Sequence, residues 1–306
     1  MTTVMITGSN GFIGQKLTRH ILDTGEQYTV LGCSYSPDIS DIVHPRYRFE
    51  QMDITDRGRV DAVITAYSPE VIIHSAAISG VDDCENDKIH SRNVNVRGTE
   101  NLVASANRTG AHLVFLSTDF VFDGKDGPYA EEHPPAPVNY YGYTKWEAEK
   151  IVMAESCKWS VVRTILVYGF NRMMKRTHMV LWLYESLIKG NTVRVVNDQY
   201  RMPTLAEDLT GAIGTIIRLG RQGVFHISGK DLVDLYTFAC MVAEVFMLDR
   251  RLIIPVSTAS LNEKCVRPLR TGFVLKKAMN ELNYQPVSIM QGLALVRKQM
   301  QNAGKG

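Results

Sequence analysis

A doubly wound parallel α/β sheet, completed by a smaller C-terminal α+β body, is the fold class this sequence predicts. Three observations carry it. A short buried strand at the N-terminus runs directly into a glycine turn and an amphipathic helix. Strand-like and helical runs then alternate through the first 168 residues, the spacing of parallel strands joined by right-handed crossovers. Two of those strands, at 71–74 and 112–116, lack polar alternation, as a sheet covered on both faces requires.

Residues 3–7 make the first strand. Gly8-Ser9-Asn10-Gly11-Phe12-Ile13-Gly14 follows at once, and an amphipathic run over 15–24 is closed by Gly25. Strand, glycine turn and helix in this order form a nucleotide-site pattern. Gly8 permits the tight turn, Gly11 the close approach of a pyrophosphate and Gly14 the packing of helix on strand. The helix N-terminus, with Asn10, Phe12 and Ile13, faces the phosphates. A purely structural glycine turn is the competing reading. The expected layout is a Rossmann-type dinucleotide-binding domain over 1–168, rejoined by about 203–228, with smaller substrate-binding segments in 169–306.

A second strand, 28–33, ends in Gly32-Cys33-Ser34-Tyr35. An acid here would hold a ribose 2′-hydroxyl and select NAD. None is present, so the expectation leans to NADP(H) over NAD(H), with Ser34 in the pocket. Arg46 and Arg48 either approach a 2′-phosphate or only flank the third strand, 48–52. After it comes Asp53-Ile54-Thr55-Asp56. Asp53 can accept a hydrogen bond from an adenine amino group, while Thr55 or Asp56 would serve as a helix N-cap.

Helix 60–67 leads to the fourth strand, which ends in Ser75-Ala76-Ala77, where a cofactor would cross. A long helix over 91–109 precedes the fifth strand, which ends in Ser117-Thr118-Asp119. Ligands in such sheets sit beyond the strand C-termini, so these segments gather with Gly8 to Gly14 at one edge.

Tyr141-Gly142-Tyr143-Thr144-Lys145 lies between a proline-rich loop, 133–137, and a helical run that begins near Trp146. Residues four apart on a helix share a face, so the phenol and the ammonium can meet one ligand. A neighbouring cation lowers a phenol's pKa, which yields a proton donor and acceptor near neutral pH. The competing reading is a solvated surface helix. A sixth strand spans 160–167, after which the pattern is less regular. A basic loop with Arg172, Lys175 and Arg176 either grips a substrate diphosphate or is solvated surface. Helices at 179–189, 205–219, 235–246, 271–282 and 287–301 and strands at 193–196 and 223–229 complete the chain.

Composition narrows the function classes. In 306 residues, 45% hydrophobic and 22% charged content is ordinary for a globular chain. A net charge of +2 gives no field suited to nucleic acid or an anionic membrane. The five cysteines are scattered and form no CxxC pair, which points to reduced thiols rather than disulfides or zinc. No apolar run approaches the ~20 residues that cross a bilayer, and no signal-peptide layout opens the chain. A soluble cytoplasmic protein without nucleic-acid or membrane partners is expected.

With these residues placed, the chain resembles the extended short-chain dehydrogenase/reductase family, and within it the dTDP-4-dehydrorhamnose reductases, over nearly its whole length. The matching stretches are TGxxGxxG at Thr7 to Gly14, Asp53-Ile54, 81–85, Tyr141-xxx-Lys145 and Arg163-Thr164. Later ones are Asp198-Gln199, Pro203-Thr204, Asp208-Leu209, 223–229 and Arg267-Pro268. Most discriminating is Ser117-Thr118-Asp119-Phe120-Val121-Phe122-Asp123-Gly124.

The resemblance implies an NAD(P)H-dependent reductase of a nucleotide-linked 4-keto sugar. Tyr141 would be the general acid. Lys145 would hold the nicotinamide ribose and depress the Tyr141 pKa. Thr118, with Ser117 as the fallback, would polarise the substrate oxygen. Ser79, Val81, Asp119 and Arg267 would meet the sugar nucleotide, and Asn95 matches the family's helix asparagine beside the cofactor.

Departures occur at Ile165-Leu166, at Arg201-Met202 where a glycine usually precedes Pro203, and after Arg267-Pro268. Gln15 replaces a glutamate that binds metal in some members, so no metal is expected. Phe120 after Asp119 argues against a dehydratase. An epimerase needs little beyond Tyr141, the cofactor and a rotating sugar. The regulatory β subunit of methionine adenosyltransferase resembles the same reductases, and Gly32-Cys33 is similar to it. A homodimer is allowed for.

Overall fold

The computed structural model describes residues 1–173, 178–261 and 264–303. Its N-terminal part runs β1 (Thr2–Thr7), α1 (Phe12–Thr24), β2 (Tyr28–Ser34), β3 (Tyr47–Gln51), α2 (Arg57–Tyr67) and β4 (Val71–His74). It continues with α3 (Val81–Asn86), α4 (Lys88–Arg92), α5 (Gly98–Thr109), β5 (His112–Thr118), α6 (Tyr140–Glu155) and β6 (Trp159–Thr164). One seven-stranded sheet has the order Gly223–Ile227, β6, β5, β4, β1, β2, β3, and every pairing in it is parallel. The order reverses between β1 and β4, so the crevice beyond those two strand ends is where such a sheet takes a ligand.

Strand periodicity divides the core. Val4 and Ile6 of β1 face a cluster completed by Leu17 and Ile21 of α1 and by Ile213 and Ile216 of the helix Ala206–Leu219. Met5, between them, faces the opposite cluster with Val60, Leu102, Ala148 and Val152 from α2, α5 and α6. Burying both faces of the strands is what fixes their register.

A third cluster gathers the C-terminal segments. Helices Met179–Ile188, Leu235–Phe246 and Ile289–Ala303 pack with the parallel pair Val193–Val196 and Ile253–Val256 around Leu183, Val195, Phe238, Val242 and Leu293.

Several boundaries differ from expectation. α6 begins at Tyr140, not near Trp146, because Asn139 caps it by accepting from Gly142 N at 2.9 Å. The run 91–109 is interrupted by a π-helical turn, Asn93–Arg97. Residues 271–275 are not helical. Tyr129 N donates to Gly272 O and Val274 N to Tyr129 O, which holds this stretch extended until the helix Lys276–Leu282. The expected strand 160–167 ends at Thr164, and Val167–Tyr168 pairs instead with Thr204–Leu205.

Candidate active site

The glycine turn has the geometry its spacing predicts. Gly8 has φ +69, and an added Cβ there would fall 2.8 Å from the Ala76 backbone. At Gly14 an added Cβ would stand 2.2 Å from the Gly8 carbonyl oxygen, so only glycine lets α1 start this close to β1. Gly11 is the N-cap of α1 and supplies no side-chain cap. The first-turn N–H groups are thus open to an anion, at the end of the helix where its dipole favours one.

Neighbouring residues shape this cradle. Ser34 Oγ accepts from Asn10 N at 3.0 Å. The Asn10 amide donates to the carbonyls of Ser36 (3.2 Å) and Pro37 (2.8 Å) and accepts from Ile39 N, which pins the loop after β2. Ser75 Oγ donates to Thr7 O and Ala76 N to Thr7 Oγ1, drawing the end of β4 against β1. The Phe12 ring lies tilted against His178, with ring centroids 5.1 Å apart. Gln15 Nε2 donates to Asn10 O, and its Oε1 accepts from Asn171 at 2.8 Å.

Some expected ligand residues have structural duties. Arg46 donates to the carbonyls of Leu22, Gly25 and Tyr28, so it clamps the α1–β2 connection and is not aimed at a 2′-phosphate. Asp53 accepts from Thr55 N and Oγ1, both at 2.8 Å, while Asp56 is the N-cap of α2. Ile54 is buried under α5, where an added Cβ on Gly98 would sit 2.6 Å from its Cδ1.

Asn95, in the π turn, accepts from Ile78 N and donates to Ile78 O and Thr144 Oγ1. Both its amide protons are therefore engaged, and it fixes the segment after β4 to α6 rather than presenting a donor to a cofactor.

At the end of β5 the structure brings Ser117, Thr118, Tyr141 and Lys145 together. Ser117 Oγ is buried with no hydrogen-bond partner. Lys145 is 3% exposed, and its Nζ lies 4.0 Å above the Phe115 ring. The Tyr141 ring meets Phe120 edge-on at 5.9 Å.

Burial raises the Tyr141 pKa above the ordinary phenol value; the Thr118 side chain acts against this, and Asp119 and Cys84 push further up. Burial lowers Lys145 to about 7, with Glu149 opposing. The expectation of a phenol depressed by Lys145 is thus corrected. The ammonium is itself desolvated and gives up its charge near neutrality, so it does not hold a phenolate.

Asp119 is also repositioned. It is 2% exposed, accepts from Thr271 Oγ1 at 2.5 Å and lies 3.7 Å from Arg201 Nε, so it faces the C-terminal segments rather than an open sugar pocket. Arg267 pairs at 3.0 Å with Asp82 of α3, to which Cys265 Sγ also donates. Ser79 is exposed and Val81 partly buried on the same rim. Lys175 and Arg176 lie outside the described residues, and Arg172 is exposed on a turn.

Sequence reasoning missed Glu149. It stands one turn beyond Lys145 on α6 and is buried against Arg163, with Nη2 to Oε2 at 2.6 Å. The i, i+4 spacing from Lys145 was the available signal. Among the described residues no cluster of three or more His, Cys, Asp or Glu could hold a metal, and no helix is long and apolar enough to cross a membrane. The glycine cradle, the uncapped helix end and the unpartnered Ser117 hydroxyl fit a dinucleotide.

Comparison with known proteins places the whole assembly. The family described as RmlD substrate binding domain matches residues 1–302. Methionine adenosyltransferase 2 subunit beta of Xenopus tropicalis is 30% identical over 258 residues, covering 83% of this chain and 75% of that one. The dTDP-4-dehydrorhamnose reductase of Aggregatibacter actinomycetemcomitans is 29% identical over 310 residues, 97% of this chain and 99% of the relative.

Among solved structures, a dTDP-4-dehydrorhamnose reductase from Clostridium acetobutylicum superposes with a TM-score of 0.87 at 26% identity, over 98% of this chain and 100% of that one. One from Bacillus anthracis in complex with NADP gives 0.83 at 27%, with the same coverage. The resemblance read from the motifs is borne out: this chain belongs to the RmlD substrate-binding-domain family of extended short-chain dehydrogenase/reductases.

Proposed function

We propose that this protein is an NAD(P)H-dependent reductase of a nucleotide-linked 4-keto sugar, of the dTDP-4-dehydrorhamnose type. The observation that carries the reading is the convergence of Thr118, Tyr141 and Lys145 at the sheet edge that also bears the glycine cradle. The reductase relatives, one of them in complex with NADP, support it. The bound dinucleotide would supply the hydride.

The rest of the chemistry belongs to the chain. Tyr141, held protonated by burial, donates its proton to the carbonyl oxygen as that oxygen becomes a hydroxyl. Lys145 lies one turn along the same helix, where it holds the cofactor's ribose. Ser117 offers a buried hydroxyl for the cofactor or substrate. Ser34, in place of an acid, leaves room for the 2′-phosphate of NADP(H). The C-terminal body contributes the substrate side, with Ser79, Val81 and Arg267 on the rim. The same reading has the protein act in the cytoplasm as a homodimer, without a metal.

The test follows NADPH and NADH absorbance with dTDP-4-dehydrorhamnose. Turnover is expected, and Tyr141→Phe is expected to lower it by about 10²–10⁴-fold while cofactor binding persists. Cofactor binding without turnover on any nucleotide keto sugar would sink the assignment.

A second reading has its own observation. Methionine adenosyltransferase β subunits are 27–30% identical over most of this chain, so a dinucleotide-binding regulatory subunit is the alternative. Stable co-purification with a methionine adenosyltransferase, without reductase activity, would favour it.

A further inference from the structure

His74 is a buried imidazole at the end of β4 that the proposed reaction does not use. Its Nδ1 lies 2.8 Å from Thr7 Oγ1 and its Nε2 3.0 Å from Thr99 Oγ1. Thr7 is the last residue of β1, next to the glycine turn, and Thr99 stands in the first turn of α5. All three side chains are buried, at 1% exposure or less, so these bonds are closed to bulk water.

Donors and acceptors along this line can be assigned one by one. The Thr99 hydroxyl lies 2.7 Å from the Asn95 carbonyl oxygen, which can only accept, so its single proton goes there. Thr99 Oγ1 must then accept from His74 Nε2, which carries the imidazole proton. Nδ1 of the neutral ring is left as an acceptor, and the Thr7 hydroxyl donates to it. Thr7 Oγ1 accepts in turn from Ala76 N at 3.3 Å. Burial, with Lys145 adding to it, lowers the His74 pKa to about 3, in keeping with a neutral ring.

Asn95 extends the line to α6. Its Nδ2 donates to Thr144 Oγ1 at 3.0 Å, and Thr144 Oγ1 donates to Tyr141 O at 2.8 Å. One buried line thus runs from the glycine cradle, through β4 and the π turn, to the helix of Tyr141 and Lys145. A dinucleotide must meet the cradle with its phosphates and α6 with its nicotinamide ribose. The spacing of these two elements decides whether both contacts form at once.

Resting on the dinucleotide-binding part of the reading above, we propose that His74, protonated on Nε2, is a positioning residue that holds the glycine cradle and α6 at the spacing a dinucleotide requires. A neutral imidazole suits the place because one ring nitrogen accepts while the other donates.

The first test is a long-range proton–nitrogen NMR spectrum of the cofactor-free protein at pH 7, with His74→Gln identifying one ring among eight histidines. A proton on Nε2 is expected; a proton on Nδ1, or an imidazolium, overturns the proposal. The second test is the dissociation constant for NADPH and NADH, measured beside the urea midpoint. Thr99→Val breaks the line behind His74 with little change of shape, and it is expected to weaken binding about tenfold. His74→Leu is expected to do the same, and His74→Gln, which keeps an acceptor and a donor, to recover most of the loss. Adding Thr99→Val to His74→Leu should cost nothing further, because the line is already broken. If His74→Leu does not fold, Thr99→Val decides alone.

A bridge with a merely structural role would lower the urea midpoint of Thr99→Val and leave its dissociation constants unchanged. That result overturns the proposal, as do additive losses in the double variant. None of these readouts needs a substrate. Cofactor binding without dTDP-4-dehydrorhamnose turnover would remove the reductase reading and leave this inference standing. Turnover with unmoved dissociation constants would remove only the inference, and a protein that binds neither dinucleotide would overturn both.

Discussion

Lys145 carries an unusual load for one side chain. Its ammonium sits over the Phe115 ring and forms no ion pair among the described residues, and burial brings its pKa from 10.5 to about 7. In the unfolded chain the group keeps its ordinary value, so between those two pH values the unfolded state binds the extra proton. Stability must therefore rise with pH through that window, and the penalty is complete below it. Lys145→Met should stabilise the cofactor-free protein at pH 7 by a few kcal/mol, as an order of magnitude from about 1.4 kcal/mol per pKa unit. That gain should fade as the pH approaches 10.5. Urea unfolding at pH 7 and pH 9 measures it, and parallel pH dependences in the two proteins would contradict it.

At the scale of elements, α6 is set against β6 by a buried ion pair. Glu149 accepts from Arg163 Nε at 3.0 Å and from Nη2 at 2.6 Å, and Arg163 also contacts His226 Nε2 at 3.3 Å. Both side chains are almost wholly removed from water, at 2% and 0% exposure. Removing one partner strands a buried charge, whereas removing both leaves an apolar contact. Arg163→Met is expected to cost about 3–5 kcal/mol, and the double variant with Glu149→Leu to recover much of it. Urea midpoints of the three proteins decide, and an additive double variant would refute the pairing as the cause. The same pair anchors the helix that carries Tyr141 and Lys145, so Arg163→Met should also weaken cofactor binding.

Across the whole molecule, the C-terminal body is closed by a tight contact between a helix glycine and a buried ring. The helix Ile289–Ala303 comes so near Tyr168 that a Cβ on Gly292 would fall 2.1 Å from the phenol oxygen. Tyr168 is itself buried and lies against Phe238 of the third cluster, so its rigid ring has little room to yield. Gly292→Ala should destabilise the protein by about 1–3 kcal/mol through overpacking. Thermal melting of the variant checks this, with an unchanged midpoint as the contrary result.

The sequence alone determined the parts of this protein that rest on local order. Strand, glycine turn and helix follow one another directly, and the positive φ of Gly8 and the contact of Gly14 with the Gly8 carbonyl require glycine from local geometry alone. Tyr141 and Lys145 sit one turn apart, so their shared face was readable once a helix was assumed. The apolar runs of β4 and β5 declared a sheet covered on both sides.

Tertiary structure decided what depends on distant partners. Whether Arg46 meets a phosphate or clamps three carbonyls turns on where residues 22–28 fold back, and no local pattern records that. The protonation of Tyr141 and Lys145 is set by desolvation, a property of everything packed around them, and it reversed the effect expected from their spacing. Asp119 faces Arg201 and Thr271, 82 and 152 residues further along the chain, and only the docked C-terminal body brings those groups together. Local motifs fix backbone geometry, while burial and long-range pairing fix charge, and the chemistry of this site depends on both.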